Sequence, residues 1–367
     1  MKFGRVRIQR NRTRSSLVES SADNLSSGLQ EKNGTVVTEF FLLGFGNLHN
    51  LRILLFILFL DIHVTALSAN VFVIVMVVLN QSLHSPMYFL LSQLSVSEIL
   101  FTSNIVPTML WLILAGDGKV SVARCILQLY LLGVPAMSQC LLLAAMSFDR
   151  YVAICRPLHY AIIMTFTRQL QIVTFCWLMG FTLTLVVYVF LDELEFCVPN
   201  VINHFYCDTT LVFELSCSDT SSMELVAFLE SLPVVLTPLV FIIASYISIL
   251  HTILRIPSST GRQKAFSTCS SHLTFVCMYY GVLTSIYIFP PSNNSDNANK
   301  GLYLLYTLVT PLFNPLIYTL RNRDIRAAMT KYLHILGHCK PPKRELLLLS
   351  FIYMAPQGFR SAQLQST

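Results

Sequence analysis

Asp149-Arg150-Tyr151 sets an acid, a guanidinium and an aromatic ring side by side at the end of an apolar run. The run reads Met146-Ser-Phe-Asp-Arg-Tyr-Val-Ala-Ile-Cys-Arg-Pro-Leu-His-Tyr160. Held by Asp149, the guanidinium is satisfied inside a helix bundle. Released, it offers its fan of donors to whatever docks from the adjacent aqueous side. The chemistry suggested is a latch rather than a catalyst. The plainer alternative is a positive anchor at a membrane edge with a neighbouring acid.

A second constellation is Glu98, in the middle of another apolar run, with Asn70 and Asn314 as the polar groups available to it. An intramembrane charge costs roughly 2.5–3.5 kcal/mol on insertion scales, so such a carboxylate needs polar neighbours. A neutral Glu98 knitting three helices is the preferred reading; a cation- or proton-sensitive switch is the other. Pro311 and Pro315 bracket Asn314. Each proline frees a carbonyl one turn back and bends its helix, and Asn314 can satisfy that irregular backbone.

The elements that position these groups are membrane spans. Of 367 residues, 54% are hydrophobic and only 12% charged, whereas a soluble chain carries about 25% charged residues. Apolar stretches lie near Ile53–Leu79, Met87–Leu114, Ile126–Phe148, Leu170–Leu191, Leu225–Leu250, Phe266–Phe289 and Leu302–Leu320. Each approaches or exceeds the roughly 20 residues needed to cross a bilayer as a helix. Lys and Arg cluster after the third and fifth spans and in the tail, while 192–224 has acids and no Lys or Arg. The positive-inside rule therefore puts the tail in the cytoplasm and the amino terminus outside. The net charge of +6 then reflects topology and not nucleic-acid binding. Residues 1–50 read as an extracellular segment, 51–322 as the helical domain and 323–367 as a cytoplasmic helix and tail. The basic stretch 1–29 has no apolar signal core; an inert disordered extension is preferred to a mitochondrial-type presequence.

Four of the ten cysteines, Cys125, Cys197, Cys207 and Cys217, fall on the outer side. Two disulfides are expected there, and spacing alone does not choose among the three pairings. Asn33-Gly34-Thr35 is a glycosylation sequon just outside the first span.

Several strings closely resemble olfactory receptors, a branch of the rhodopsin-like G-protein-coupled receptors. They are the run around Asp149-Arg150-Tyr151, Leu83-His-Ser-Pro-Met-Tyr-Phe-Leu-Leu-Ser-Gln-Leu-Ser95, Lys264-Ala-Phe-Ser-Thr-Cys-Ser-Ser-His-Leu273 and Pro311-Leu-Phe-Asn-Pro-Leu-Ile-Tyr318. Ser245-Tyr246 and the loop Phe196–Asp208 with Leu215–Asp219 match as well, so the resemblance runs from about Asn33 to Leu336. It implies an all-α membrane protein: a seven-helix bundle followed by a short amphipathic helix, 324–336, on the inner membrane surface. It also implies bridges Cys125–Cys207 and Cys197–Cys217. With Cys207 in a disulfide, its thiolate is unavailable and His204–Asp208 is not expected to hold a metal.

The resemblance places the odorant pocket along the outer half of the third span, where Leu132, Gly133, Ala136 and Met137 share a face. Ser231, Tyr280, Thr284 and Tyr287 are expected to add hydroxyls. Glu230 either faces the cavity or snorkels to the interface. Asp149, Arg150, Tyr151, Tyr246, Lys264, Asn314, Pro315 and Tyr318 are expected to carry activation and coupling. The function implied is binding of small volatile molecules and activation of a stimulatory, olfactory-type heterotrimeric G protein, raising cAMP at the plasma membrane, without cofactor or catalysis. The alternative within receptors is chemosensing outside the olfactory epithelium. A polytopic transporter is disfavoured because the chain shows no internal repeat. A membrane enzyme is disfavoured because no nucleophile or metal constellation lies within the spans.

Overall fold

The computed structural model describes residues 37–46, 49–116, 118–287, 296–321 and Ile325. The sequon at Asn33, the extension 1–29, the tail with Cys339, and the 324–336 helix apart from Ile325 lie outside the described residues. So do the side chains of Glu230, Ser231, Lys264, Tyr287 and Tyr318.

Among the described residues, five helices are long and apolar enough to cross a membrane: Arg52–Leu79, Pro86–Ala115, Val122–Cys155, Phe166–Asp192 and Pro233–Leu254. The sixth rod is Ser259–Tyr287, apolar over His272–Ile286. The seventh runs from Asp296–Leu304 through Leu305–Val309 into Thr310–Arg321. The first rod packs on the second, the second on the third, and the third on the fourth and fifth. The sixth joins the fifth to the seventh, and the seventh closes back onto the first.

Local chemistry sets the ends. Pro86 occupies the first turn of the second span, where its missing N–H is an orphan in any case. Ser121 and Thr165 cap the third and fourth spans, their hydroxyls accepting from the Arg124 and Arg168 amides at 3.3 and 3.4 Å. The third helix reaches Cys155, well past the apolar stretch, so Asp149-Arg150-Tyr151 is helical.

Two helices are interrupted by π turns, Leu232–Leu236 in the fifth rod and Leu305–Val309 in the seventh. Prolines explain both. Pro238 cannot donate to the Val234 carbonyl, nor Pro311 to the Thr307 carbonyl, so the ordinary helical bond is absent inside each turn. In the seventh rod Thr310 Oγ1 donates to the Leu305 carbonyl at 3.1 Å, completing the wider turn.

The bundle also carries a small outer sheet. β1 (Glu39–Leu42) is its central strand, antiparallel to β2 (Lys119–Ser121) and parallel to β3 (Val201–Ile202). The sequence reading, dominated by helical periodicity, holds no strands. These segments are too short for an alternating pattern to stand out, and they form only because two outer loops and the amino-terminal segment meet. Phe40 packs edge-on against Phe196, and Phe45 stacks on Phe205. Lys300 of the seventh rod is buried beneath, donating to Gly44 O at 2.6 Å and Asn203 Oδ1 at 2.8 Å.

Candidate functional site

A cavity of about 560 Å³ lies between the third, fourth, fifth and sixth rods. Leu132, Gly133, Ala136 and Met137 line it from the third span, and Tyr280 and Thr284 from the sixth. The structure therefore brings these six expected residues to one cavity. Gly133 has a packing reason: a Cβ there would lie 2.6 Å from Thr184 Cγ2, so the glycine lets the fourth span approach. Thr184 Oγ1 in turn donates to Met137 Sδ at 3.4 Å.

Much of the lining was not anticipated from sequence. The fourth span gives Thr184, Val187 and Tyr188, and the π turn of the fifth gives Val234, Val235 and Leu236. The floor adds Cys140, Tyr279 and Tyr306. The outer loop supplies Tyr206, Asp208, Thr210 and Phe213. Its place is fixed by the disulfide Cys125–Cys207 to the third span, while Cys197–Cys217 ties the loop to itself. The Cys207 amide also donates to Gln128 Oε1 at 3.1 Å. Asp208 caps the short helix Thr209–Glu214, accepting from the Thr210 amide at 3.1 Å. Burial pushes its carboxyl up to about 6, against the pull of the Thr210 hydrogen bonds. On the sixth span, the Tyr280 hydroxyl is buried near the Cys140 thiol without a hydrogen bond of normal geometry.

At the opposite end of the bundle the latch is closed. Arg150 Nε donates to Asp149 Oδ2 at 2.9 Å, and Nη2 makes a second bond to the same oxygen. Tyr160 Oη donates to Asp149 Oδ1 at 2.8 Å. Asp149 is fully buried and both its oxygens are engaged. Burial first, and then the Asp149 carboxylate, raise the Tyr160 phenol above its usual range. Tyr160 ends the same sequence run as Arg150, but its role needs the turn at Pro157–His159 to fold it back. Tyr151 packs partly buried against the core. Tyr246 Oη lies 2.6 Å from His272 Nδ1, joining the fifth rod to the sixth.

Between the two sites lies the polar network. Asn314 Nδ2 donates to Glu98 Oε1 at 2.6 Å. Asn70 Nδ2 donates to Ala66 O at 3.0 Å and to Pro311 O at 3.1 Å. The expectation that Asn314 satisfies the irregular backbone is corrected here. Pro315 frees the Pro311 carbonyl, and Asn70 from the first span answers it, because Asn314 is committed to Glu98. The first, second and seventh rods are thus joined by two hydrogen bonds that share no atom.

Seven rods closing on an outer cavity, with a closed arginine latch at the inner end, define a heptahelical membrane receptor. Residues 59–335 match the olfactory receptor family. The chain is 43% identical over 303 residues to human olfactory receptor 10A3, covering 83% of this chain and 96% of that protein. It is 41% identical to human olfactory receptor 6B1, covering 86% and 100%, and 45% identical to human olfactory receptor 10Z1, covering 82% and 96%. The chain belongs to the olfactory receptor family. It is a multi-pass plasma-membrane receptor that senses odorants and couples to G proteins.

Proposed function

We propose that this receptor binds a mostly apolar molecule with one oxygen function, such as an alcohol, aldehyde or ester, and activates a stimulatory, olfactory-type G protein that raises cAMP. The observation carrying the ligand class is the wall of the 560 Å³ cavity: aliphatic and aromatic over most of its area, with a few hydroxyls, among them Tyr280 and Thr284. Leu132, Gly133, Ala136, Met137, Tyr280 and Thr284 are the proposed contacts, with Glu230, Ser231 and Tyr287 as further members of the set. A ligand oxygen meeting the Tyr280 hydroxyl would form a hydrogen bond worth about 0.5–1.5 kcal/mol net. A mostly apolar site with few polar anchors gives modest affinity and loose selectivity.

Asp149, Arg150 and Tyr151 form the proposed coupling element, with Tyr246, Lys264, Asn314, Pro315 and Tyr318 as further proposed members; Asn314 donates to Glu98. An agonist opens the latch only through its higher affinity for the open arrangement. Residues 1–50 serve as the outer segment, glycosylated at Asn33, and 323–367 as the inner helix and tail. Amines are the second ligand class, favoured by Asp208 on the cavity wall. The experiment is a cAMP-reporter screen against a panel of alcohols, aldehydes, esters and amines. A response to the oxygenated set supports the reading. Responses only to amines, or only through a heterotrimer of another class, contradict it.

A further inference from the structure

The cavity reaches the outside of the bundle in two places. Of the described residues lining it, Thr210 and Leu236 alone are exposed. Thr210 belongs to the outer loop, next to Thr209 and Asp208, so that rim is polar and meets water. Leu236 ends the π turn of the fifth rod and lies within the membrane-length stretch Pro233–Leu254. It is 41% exposed and begins a stripe with Val240, Ile243 and Ile247, all exposed, at the helical spacing of a lipid-facing edge. Val234, Val235 and Leu236 all line the cavity, and they pass from buried through half-buried to exposed. Consecutive helical residues point in different directions, so a cavity touching three in a row reaches round the edge of the rod. The packing leaves room there. The fourth rod meets the fifth over Ser221–Ser231, on the outer side of the π turn; from the turn inward the fifth rod's main neighbour is the third span. The seam between the third and fourth spans is closed by contrast: Tyr130 and Tyr188 meet edge-on at 5.6 Å, and Gly133 lets Thr184 pack close.

The two openings face different solvents. Each methylene of an alkyl chain enriches a molecule in the bilayer over water roughly fourfold. A mostly apolar odorant is therefore concentrated beside Leu236 and dilute at the Thr210 rim. We infer that the gap between the fourth and fifth rods, bordered by Leu236, is a lateral portal through which apolar odorants enter and leave the cavity from the lipid bilayer. The inference rests on the proposed pocket and ligand class, since it is the apolar chain that puts the odorant in the bilayer.

The probe is a diazirine-bearing octanol, mixed with the full-length receptor in nanodiscs and photolysed by a flash at set times. Its adducts on cavity residues, mapped by mass spectrometry, time the filling of the cavity. Escape is timed in the same way after dilution into probe-free vesicles. Leu236→Trp narrows the gap and is expected to slow both filling and escape by roughly tenfold, as for about 1.4 kcal/mol added to the barrier. A ring that merely spoiled the pocket would speed escape instead. Leu236→Ala widens the gap and should speed both, and it carries the test alone should Leu236→Trp fail to fold. Thr210→Trp, at the water-side rim, should slow them less than Leu236→Trp does. Rates indifferent to the Leu236 variants, or slowed more by Thr210→Trp, overturn the portal and leave the pocket and ligand class standing. An absence of cavity adducts in the wild type contradicts the proposed pocket itself, and the portal with it.

Discussion

Asn70 and Pro311 meet across the first and seventh rods: the Asn70 amide donates at 3.1 Å to the carbonyl that Pro315 leaves without its helical partner. A proline kink is thereby made a fixed joint. Replacing Asn70 with Leu is expected to lower stability by about 0.6–1.7 kcal/mol, the range for interhelical polar bonds in membranes. The lower end is favoured because Asn70 Oδ1 has no partner to lose. The thermal midpoint of the purified receptor checks this; an unchanged midpoint would show the joint to be dispensable.

Gly180 packs the fourth span onto the third. A Cβ there would stand 2.4 Å from Ser138 Oγ and 2.8 Å from the Val134 carbonyl. Ser138 can turn its side chain away, but the Val134 carbonyl is backbone and cannot. Gly180→Ala should therefore cost about 1–3 kcal/mol, as overpacking does. The drop in thermal midpoint and surface expression measures it.

The outer loop holds two groups whose titrations oppose. Burial, aided by Lys300, lowers His204 to about 3, and burial raises Asp208 to about 6. A lowered histidine gives stability present above its unfolded value near 6.5 and lost as pH falls. A raised aspartate gives stability present below its unfolded value near 3.9 and lost as pH rises toward its folded one. Between about pH 4 and 6 the folded loop holds its proton on Asp208 and the unfolded loop on His204, so the two cancel. Thermal midpoints of His204→Gln, which leaves Asp208 alone, should rise relative to wild type as pH drops from 6 to 4.5. A difference independent of pH over that window would contradict the pairing.

Tyr160→Phe should loosen the latch without removing it, because Asp149 keeps Arg150 and loses one donor. Raised ligand-free cAMP, by roughly 2–12-fold, is the expected sign. Arg150→Ala should instead abolish odorant-dependent cAMP at equal surface expression. Normal signalling by that variant would refute the coupling role.

The sequence made the seven spans, their inner and outer ends, and the candidate third-span face legible, because apolar length, Lys and Arg placement and helical spacing each have a local cause. Other features were hidden because they depend on meetings between distant segments. Pro238 and Pro311 are visible in the chain, but the π turns also need room on the neighbouring helices. In the sequence Asn70 is a candidate partner for Glu98; only the folded geometry gives it the Pro311 carbonyl. Tyr206 and Asp208 reach the cavity because the disulfide to Cys125 draws the loop down, and β1 exists only between two loops it does not adjoin in sequence.

Ala136 lies on the cavity wall, and its carbonyl receives Tyr279. Ala136→Phe puts a phenyl ring into the 560 Å³ cavity. The decisive measurement is the concentration–response of this variant and wild type, at matched surface expression, to an oxygenated odorant identified in the panel screen. The response is expected to disappear in Ala136→Phe. A response of unchanged potency would mean that odorants bind elsewhere on the receptor.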